Sequence, residues 1–520
     1  MRSHLLSKIR AWLSVLVILV TAALFLDISH LIPEKVTGGI LFLQFIPSAN
    51  KVVGAGAAAA GFIIVTALTI LSGRLYCSFL CPLGIVQDIF SRVGGMFRKK
   101  FRKYGFRRAH TILRYSILAL TLIVSLTWGI ALLMVLDPYS IFGRMMTYFG
   151  KPIVMLLNNL LAGVFGKFHI YTFVHSPLPW FGTVVYIIPL IFLALVGYMS
   201  FRHGRLYCNT VCPVGTFLGL LSKVSFLRIR FDNDKCSKCG RCAVACKSSC
   251  IDFMNKEVDL SRCVDCFNCI KSCPDKALLY GPLSLRKAKS PETPADRSKR
   301  KSLLAVILFL SGTRIISGQN KAAPVPKKAS TVKEKKTSSI CPPGSGSIEK
   351  FVRNCTACSL CVSACPNNVL VPSFREYGLS SVMQPHMDFH KGFCAYECVR
   401  CLEICPTGAL MPLALEAKKL TQIGKAVFIK DNCIVNTEHT ACGACSEACP
   451  TKAVHMIPFM GHLVIPETND EICIGCGHCE NACPTTPYKA IFINGNPVHK
   501  AAKKPVNTRT DLKKPDDFPF

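Results

Sequence analysis

Thirty of the 520 residues are cysteine, and most of them stand in short repeated runs whose spacing suits metal binding. Cys236, Cys239, Cys242 and Cys246 are followed by Cys263, Cys266, Cys269 and Cys273-Pro274, which is C-x2-C-x2-C-x3-C written twice. Three thiolates so spaced wrap one [4Fe-4S] cluster while the fourth reaches a neighbouring cluster. Cys273 is therefore expected to complete the first cluster and Cys246 the second, with Cys250 left over as a structural thiol. Four further runs follow: Cys355, Cys358, Cys361, Cys365; Cys394, Cys398, Cys401, Cys405; Cys433, Cys442, Cys445, Cys449; and Cys473, Cys476, Cys479, Cys483, each closed by proline. Their first cysteines are 39, 39 and 40 residues apart, the mark of a repeated supersecondary unit. These runs suit four more clusters, about six in the whole chain. The second run opens as C-x3-C and the third as C-x8-C, and which fourth cysteine serves which cluster is left open. Cys341, outside every run, reads as a linker cysteine. Met383, His386, Met387 and His390 invite a copper or haem reading, but loop residues between two cluster motifs describe them better.

A second pattern is duplicated. Gly73-Arg74-Leu75-Tyr76-Cys77-Ser78-Phe79-Leu80-Cys81-Pro82-Leu83-Gly84 returns as Gly204-Arg205-Leu206-Tyr207-Cys208-Asn209-Thr210-Val211-Cys212-Pro213-Val214-Gly215. In each copy the cysteines stand at i and i+4, which on one helix would stack them on one face. The two claws offer four thiolates, Cys77, Cys81, Cys208 and Cys212, enough for an additional iron or iron-sulfur site or a tetrahedral metal. Buried or redox-active thiols without metal are the competing reading.

Apolar runs precede both claws and must position them. The first span is expected from Ala11 to about Leu26, the second from Val52 to Ser72, the third from about Tyr115 to Leu136 and the fourth from about Thr183 to Ser200, each near the length that crosses a bilayer. Ile153 to Phe165 is too short to cross and is expected to lie in the interface or to re-enter. Arg98, Lys99, Lys100, Arg102, Lys103, Arg107 and Arg108 follow the first claw with no acid among them, which puts that loop and both claws on the cytoplasmic side. The expected fold class is thus an α-helical membrane domain of four spans, with a possible fifth, plus α+β ferredoxin-like [4Fe-4S] domains. The domains are a membrane domain at 1–232, a two-cluster ferredoxin at 233–281, a basic linker at 282–340, a four-cluster polyferredoxin at 341–495 and a disordered tail at 496–520. Within the linker, Ser298-Lys299-Arg300-Lys301-Ser302 leads into the apolar Leu303 to Leu310, a twin-arginine-like signal with Lys for the first Arg and Ser for the usual Phe.

Composition agrees with a membrane protein: half of the residues are hydrophobic. A disulfide scaffold is excluded by the chain's length and its tight cysteine groups. The net charge of +32 does not imply a nucleic-acid partner, because Lys and Arg concentrate beside the apolar spans and in linkers, where membrane orientation and anionic lipid account for them. Gly54 and Gly56 lie in an apolar span and read as helix packing, and no nucleotide or flavin signature stands out.

Residues 1 to about 280, with the claws and the two-cluster ferredoxin, resemble NapH and MauN, the membrane half of a quinol dehydrogenase module. Residues from about 298 to 490 are similar to NapG and MauM, its exported ferredoxin partner, as though the two were fused. The resemblance implies that electrons leave a membrane quinol and pass along the clusters to a periplasmic acceptor, such as a c-type cytochrome or a reductase. It also implies a multi-pass protein of the bacterial inner membrane with its C-terminal domain in the periplasm. Clusters of this kind move single electrons, whereas a quinol also releases two protons, so His30, Glu34, Asp137, His169 and His175 are candidate proton acceptors. Two alternatives stand beside this reading. One is a ferredoxin:quinone oxidoreductase with all clusters facing the cytoplasm, and the other is a metal-reducing assembly factor for an oxidase.

Overall fold

The computed structural model describes residues 2–27, 32, 34–52, 60–97, 104–127, 129–169, 173–178, 181–282 and 332–504. His30, the twin-arginine-like segment with Leu303 to Leu310, and the chain beyond 504 lie outside these.

The N-terminal half is a helical bundle. The charge-free run after Arg10 forms α1 (Arg2–Leu26), about 37 Å long at 1.5 Å per residue. Two short helices follow, α2 (Glu34–Phe42) and α3 (Phe45–Val52), then α4 (Ala60–Ser72). The first claw comprises α5 (Leu75–Phe79) and α6 (Pro82–Phe97). After α7 (Thr111–Thr127), α8 (Ala131–Leu136) and the long α9 (Pro138–Gly166) comes α10 (Thr183–His203). The second claw comprises α11 (Leu206–Thr210) and α12 (Pro213–Leu221).

Three helices among the described residues are long and apolar enough to cross a membrane: Leu5–Leu26, Pro138–Gly166 and Thr183–His203. This corrects the expected spans in part. The third span is broken at Gly129, whose φ of +79° ends α7's path before α8 begins. The second is a helix of 13 described residues, 53–59 lying outside the description. The segment expected to be too short is instead the end of the 29-residue α9. Arg144 and Lys151 interrupt its apolar pattern, but both are buried and donate to backbone carbonyls. Arg144 donates to the carbonyls of Ser140, Met134 and Val135 at 3.0–3.2 Å, and Lys151 to that of Ser363. The bundle is polar inside and apolar outside: Arg10, Thr21, Arg74 and Arg144 are buried, while Leu19, Ile63, Leu126 and Ile191 face outward.

The rest is α+β, built of short helices and two-stranded antiparallel ribbons. Leu227–Phe231 pairs with Leu278–Pro282 in the first ferredoxin. Leu370–Pro372 pairs with Pro385–Met387 and Val454–Pro458 with Val464–Thr468 in the C-terminal domain. There Thr421–Phe428 pairs with Ile491–Ala501, so ordered chain continues through part of the expected tail. Ile340 and Cys341 likewise belong to the buried core rather than to a linker, as Ile340 packs with Met387 and Cys341 with Phe351 and Cys355.

The two ferredoxin bodies pack at opposite ends of α1. At its start, Arg10 donates to Asp88 at 3.1 Å, and Lys247 of the first ferredoxin reaches the same carboxylate at 2.9 Å. At its end, the Phe25 carbonyl accepts from the Ser363 hydroxyl of the C-terminal domain. Thr147 on α9 donates to the Ser359 carbonyl at 3.3 Å beside it.

Candidate metal centres

The claws are built differently from the single helix face that i and i+4 suggest. Cys77 and Cys208 lie on the one-turn helices α5 and α11, whereas Cys81 and Cys212 immediately precede α6 and α12, whose first residues are prolines. Proline suits the first helical position because its missing N–H needs no partner there. The Cys212 sulfur accepts from the Gly215 N–H at 3.3 Å. All four thiols are buried, and Cys212 has Cys208, Cys81 and Cys77 as its thiol neighbours, so the two halves bring them to one place.

The repeated glycines and arginines have structural reasons. Gly73 and Gly204 take φ of +81° and +70° where the chain turns back into the bundle. The two arginines cross over. Arg74 donates to the Cys208 carbonyl at 3.3 Å and lies 3.7 Å from the Cys77 sulfur, while Arg205 donates to the Cys77 carbonyl. Gly84 and Gly215 admit this crossing, since a Cβ at either would lie 2.4 or 2.2 Å from a cysteine carbonyl oxygen. The arginines carry a signal in the duplicated motif that reading the cysteines alone passes over. Gln87, which donates to the Cys208 sulfur at 3.1 Å, and Asp88 carry none, having Leu218 and Gly219 at the equivalent places.

In the soluble bodies the structure brings the thiols together in sets of four. Cys242 has Cys239, Cys273 and Cys236 as its thiol neighbours, and Cys269 has Cys266, Cys263 and Cys246. Cys250 lies 3.5 Å from the Cys246 sulfur, beside this second set rather than apart from it. In the C-terminal domain, Cys361 groups with Cys355, Cys358 and Cys405. Cys365, Cys394, Cys398 and Cys401 line one cavity of about 30 Å³. Cys433, Cys442, Cys445 and Cys483 line another of about 20 Å³. Cys479 groups with Cys476, Cys473 and Cys449. Neighbouring runs therefore exchange their fourth cysteines, 355 with 394 and 433 with 473.

The regular loops share a backbone. The residue two after the first cysteine is left-handed in each C-x2-C-x2-C run, at Lys238, Asp265, Ala357 and Gly475. The two runs with altered spacing lack it. Burial together with neighbouring thiols pushes Cys445 and Cys476 up to about 12. Four such thiols can all ionise only with positive charge among them, which iron supplies. The donor sets fit [4Fe-4S] clusters, and soft thiolates suit iron.

Of the proposed proton acceptors, the structure describes the side chains of Asp137, His169 and His175, which differ in their surroundings. Asp137 is a buried helix cap, accepting from the Ser140 N–H at 2.8 Å and its hydroxyl at 2.6 Å. His169 and His175 are exposed. His386 faces Glu376 at 3.9 Å, His390 is half-exposed near Glu334 and Glu480, and Met383 and Met387 are core residues. Lys336, 2.6 Å from Glu480, already supplies the cation to that acidic pair.

Residues 55–104 and 184–232, one claw module each, match the model of a 4Fe-4S binding domain. Residues 354–409 and 440–487 match that of a 4Fe-4S dicluster domain. The chain is 26% identical over 272 residues to the ferredoxin-type protein NapH of Haemophilus influenzae, covering 50% of this chain and 78% of that protein. It is 28% identical over 141 residues to the ferredoxin-type protein NapF of Escherichia coli, covering 27% and 77%. Over 181 residues it is 28% identical to the methylamine utilization ferredoxin-type protein MauN of Paracoccus denitrificans, covering 34% and 49%. No solved structure matches the chain. The class is therefore an iron-sulfur electron-transfer protein. Within it the chain is related to NapH and MauN.

Proposed function

We propose that the chain is a membrane-embedded conduit that takes electrons from a quinol and passes them through the claw centre to the C-terminal clusters, and from there to a redox protein in the periplasm. The observation that carries this reading is one continuous buried core containing Cys266 of the first ferredoxin, the claw residues Cys77, Cys81 and Cys212, and Cys358 of the C-terminal domain. Asp265 joins the first ferredoxin to the claw: a Cβ on Gly73 would meet its carboxylate at 2.3 Å, and burial raises that carboxyl to about 7. On the other side, Tyr207 donates to the Leu136 carbonyl at 3.0 Å, and Tyr139 packs in the same core as Cys358. Bound iron-sulfur clusters would supply one-electron steps, and the protein's part is to hold them near one another and away from water.

Beyond Cys358 the order departs from the sequence. The Cys394 N–H donates to the Cys476 carbonyl at 2.9 Å, so the set completed by Cys365 meets the set completed by Cys449. Cys445 neighbours Cys479, leaving the set with Cys433 as the far end. Electrons would thus visit the fourth run before the third. Ferredoxin bodies at opposite ends of α1 support this conduit over an arrangement with every cluster facing the cytoplasm. The twin-arginine-like signal and the fusion with a NapG-like half belong to the same reading.

The test follows cluster reduction by absorbance and electron paramagnetic resonance after a short-chain quinol is added to the purified, cluster-loaded protein. In Cys208→Ser, slow or absent reduction of the C-terminal clusters is expected, with the other centres intact. Unchanged reduction, or a C-terminal reporter active only in the cytoplasm, overturns the reading.

A further inference from the structure

A cavity of about 660 Å³ opens where the start of α1, the end of α6 and the cluster-bearing helices of the first ferredoxin meet. Five cations line it, Lys8, Arg10, Arg92, Lys247 and Lys271, and among the described residues no carboxylate does. Beneath it, Asp88 is already shared among Arg10, Lys247 and Arg205. Those three cations are buried, so among the described residues the floor sets three cations against one carboxylate. Ser7, Ser91 and Ser272 add hydroxyls to the lining.

The outer wall has the opposite character. Met96, which lines the cavity, is 83% exposed, and Phe97 and Trp12 on the adjoining helix surfaces are 77% and 76% exposed. A basic floor next to an apolar, outward-facing wall suits a molecule with an anionic head and an apolar body. Basic pockets between helices at a membrane surface hold lipid headgroups by this combination.

We propose that this cavity binds the phosphate headgroup of an anionic phospholipid, which ties the first ferredoxin to the helical bundle. The inference rests on the reading of that bundle as membrane-embedded. Lys8, Arg92 and Lys271 form the exposed rim, so replacing them leaves the buried Asp88 network in place.

The test uses the full, cluster-loaded chain in a neutral detergent. Binding and thermal stabilisation are measured with phosphatidylglycerol, phosphatidylcholine and inorganic phosphate. Phosphatidylglycerol is expected to bind and to raise the unfolding temperature, and phosphatidylcholine is not. The variant Lys8→Gln/Arg92→Gln/Lys271→Gln should bind phosphatidylglycerol about tenfold or more weakly. A control, Arg228→Gln/Arg230→Gln, which removes charge from a strand of the same ferredoxin outside the cavity and away from the cluster loops, should bind as the native protein does. Cluster absorbance reports that each variant is folded. Equal binding of phosphatidylcholine, or full binding by the rim variant, overturns the proposal, and an equal shift from inorganic phosphate overturns the lipid as the ligand. Recovery of the chain in the soluble cell fraction instead would refute the membrane reading itself.

Discussion

The two claw modules share their thiols, crossed arginines, turn glycines and prolines, yet they differ in charge. Seven residues after its second cysteine the first half has Asp88, which receives Arg205, Arg10 and Lys247. The second half has Gly219 there, and the space is taken by the Arg114 guanidinium, which donates to the Ser261 carbonyl at 2.7 Å. The Arg74 guanidinium accordingly makes no ion pair like that of Arg205: it donates to Asn209 and to the Ser261 carbonyl, both at 2.9 Å. The duplicated motif makes a near-symmetric cradle of four thiols. The halves differ in what they attach: the acidic half joins α1 and Lys247 of the first ferredoxin, and the glycine half joins α7 and Ser261 of the same ferredoxin. A buried excess of guanidinium around four thiolates suits an anionic cluster, whose negative charge it offsets.

The largest expected effect removes what the halves share. Cys77→Ser and Cys208→Ser should each abolish the same claw signal in electron paramagnetic resonance and lower the iron content, while the signals of the other clusters persist. If only one of the two abolishes it, the halves do not share a centre.

The next removes what they do not share. Asp88→Asn leaves three buried cations without a carboxylate and should cost about 3–5 kcal/mol, read as a drop in unfolding temperature or as lost yield. Gly219→Ala should also destabilise, since its Cβ would lie 2.1 Å from an Arg114 nitrogen and 2.4 Å from the Ser261 carbonyl oxygen. Gly163→Ala, with nothing within 4 Å, is the neutral control.

Gly84→Ala and Gly215→Ala test the symmetry itself. Both press on a cysteine carbonyl and a crossed arginine, and each should cost about 1–3 kcal/mol to a similar extent. Unequal losses would show that the halves bear strain differently.

A smaller effect is expected from Gln87→Leu, which copies Leu218 into the first half and removes the hydrogen bond to the Cys208 sulfur. Donors to cluster sulfur raise the potential, so a redox titration should place the claw centre lower while leaving the ferredoxin potentials unchanged.

The smallest lies far from the claws. Burial lowers His499 from 6.5 to about 4. Its stabilising contribution is present above 6.5 and is lost as pH falls toward 4, because the unfolded chain takes up the proton first. His499→Gln should flatten that part of the stability profile.

Much was legible in the sequence because it is local. Three-residue spacings place thiols on one tight loop, and a run of apolar residues without charge makes α1 and α10. The duplicated Gly-Arg-Leu-Tyr motif held the crossed arginines in view, although their destination was not. Where charge interrupted an apolar run, at Arg144 and Lys151, local hydropathy understated α9, because only the fold brings Arg144 to the carbonyls of Met134 and Val135 and Lys151 to that of Ser363. Spacing could not say whether neighbouring runs exchange ligands, since Cys405 and Cys361 are 44 residues apart in sequence and meet only through the fold. Nor could it place the C-terminal domain at the far end of α1, or put Cys266 and Cys358 in one core with the claws. Periodicity along the chain determined which residues could ligate metal; side-chain packing between distant segments decided which of them meet.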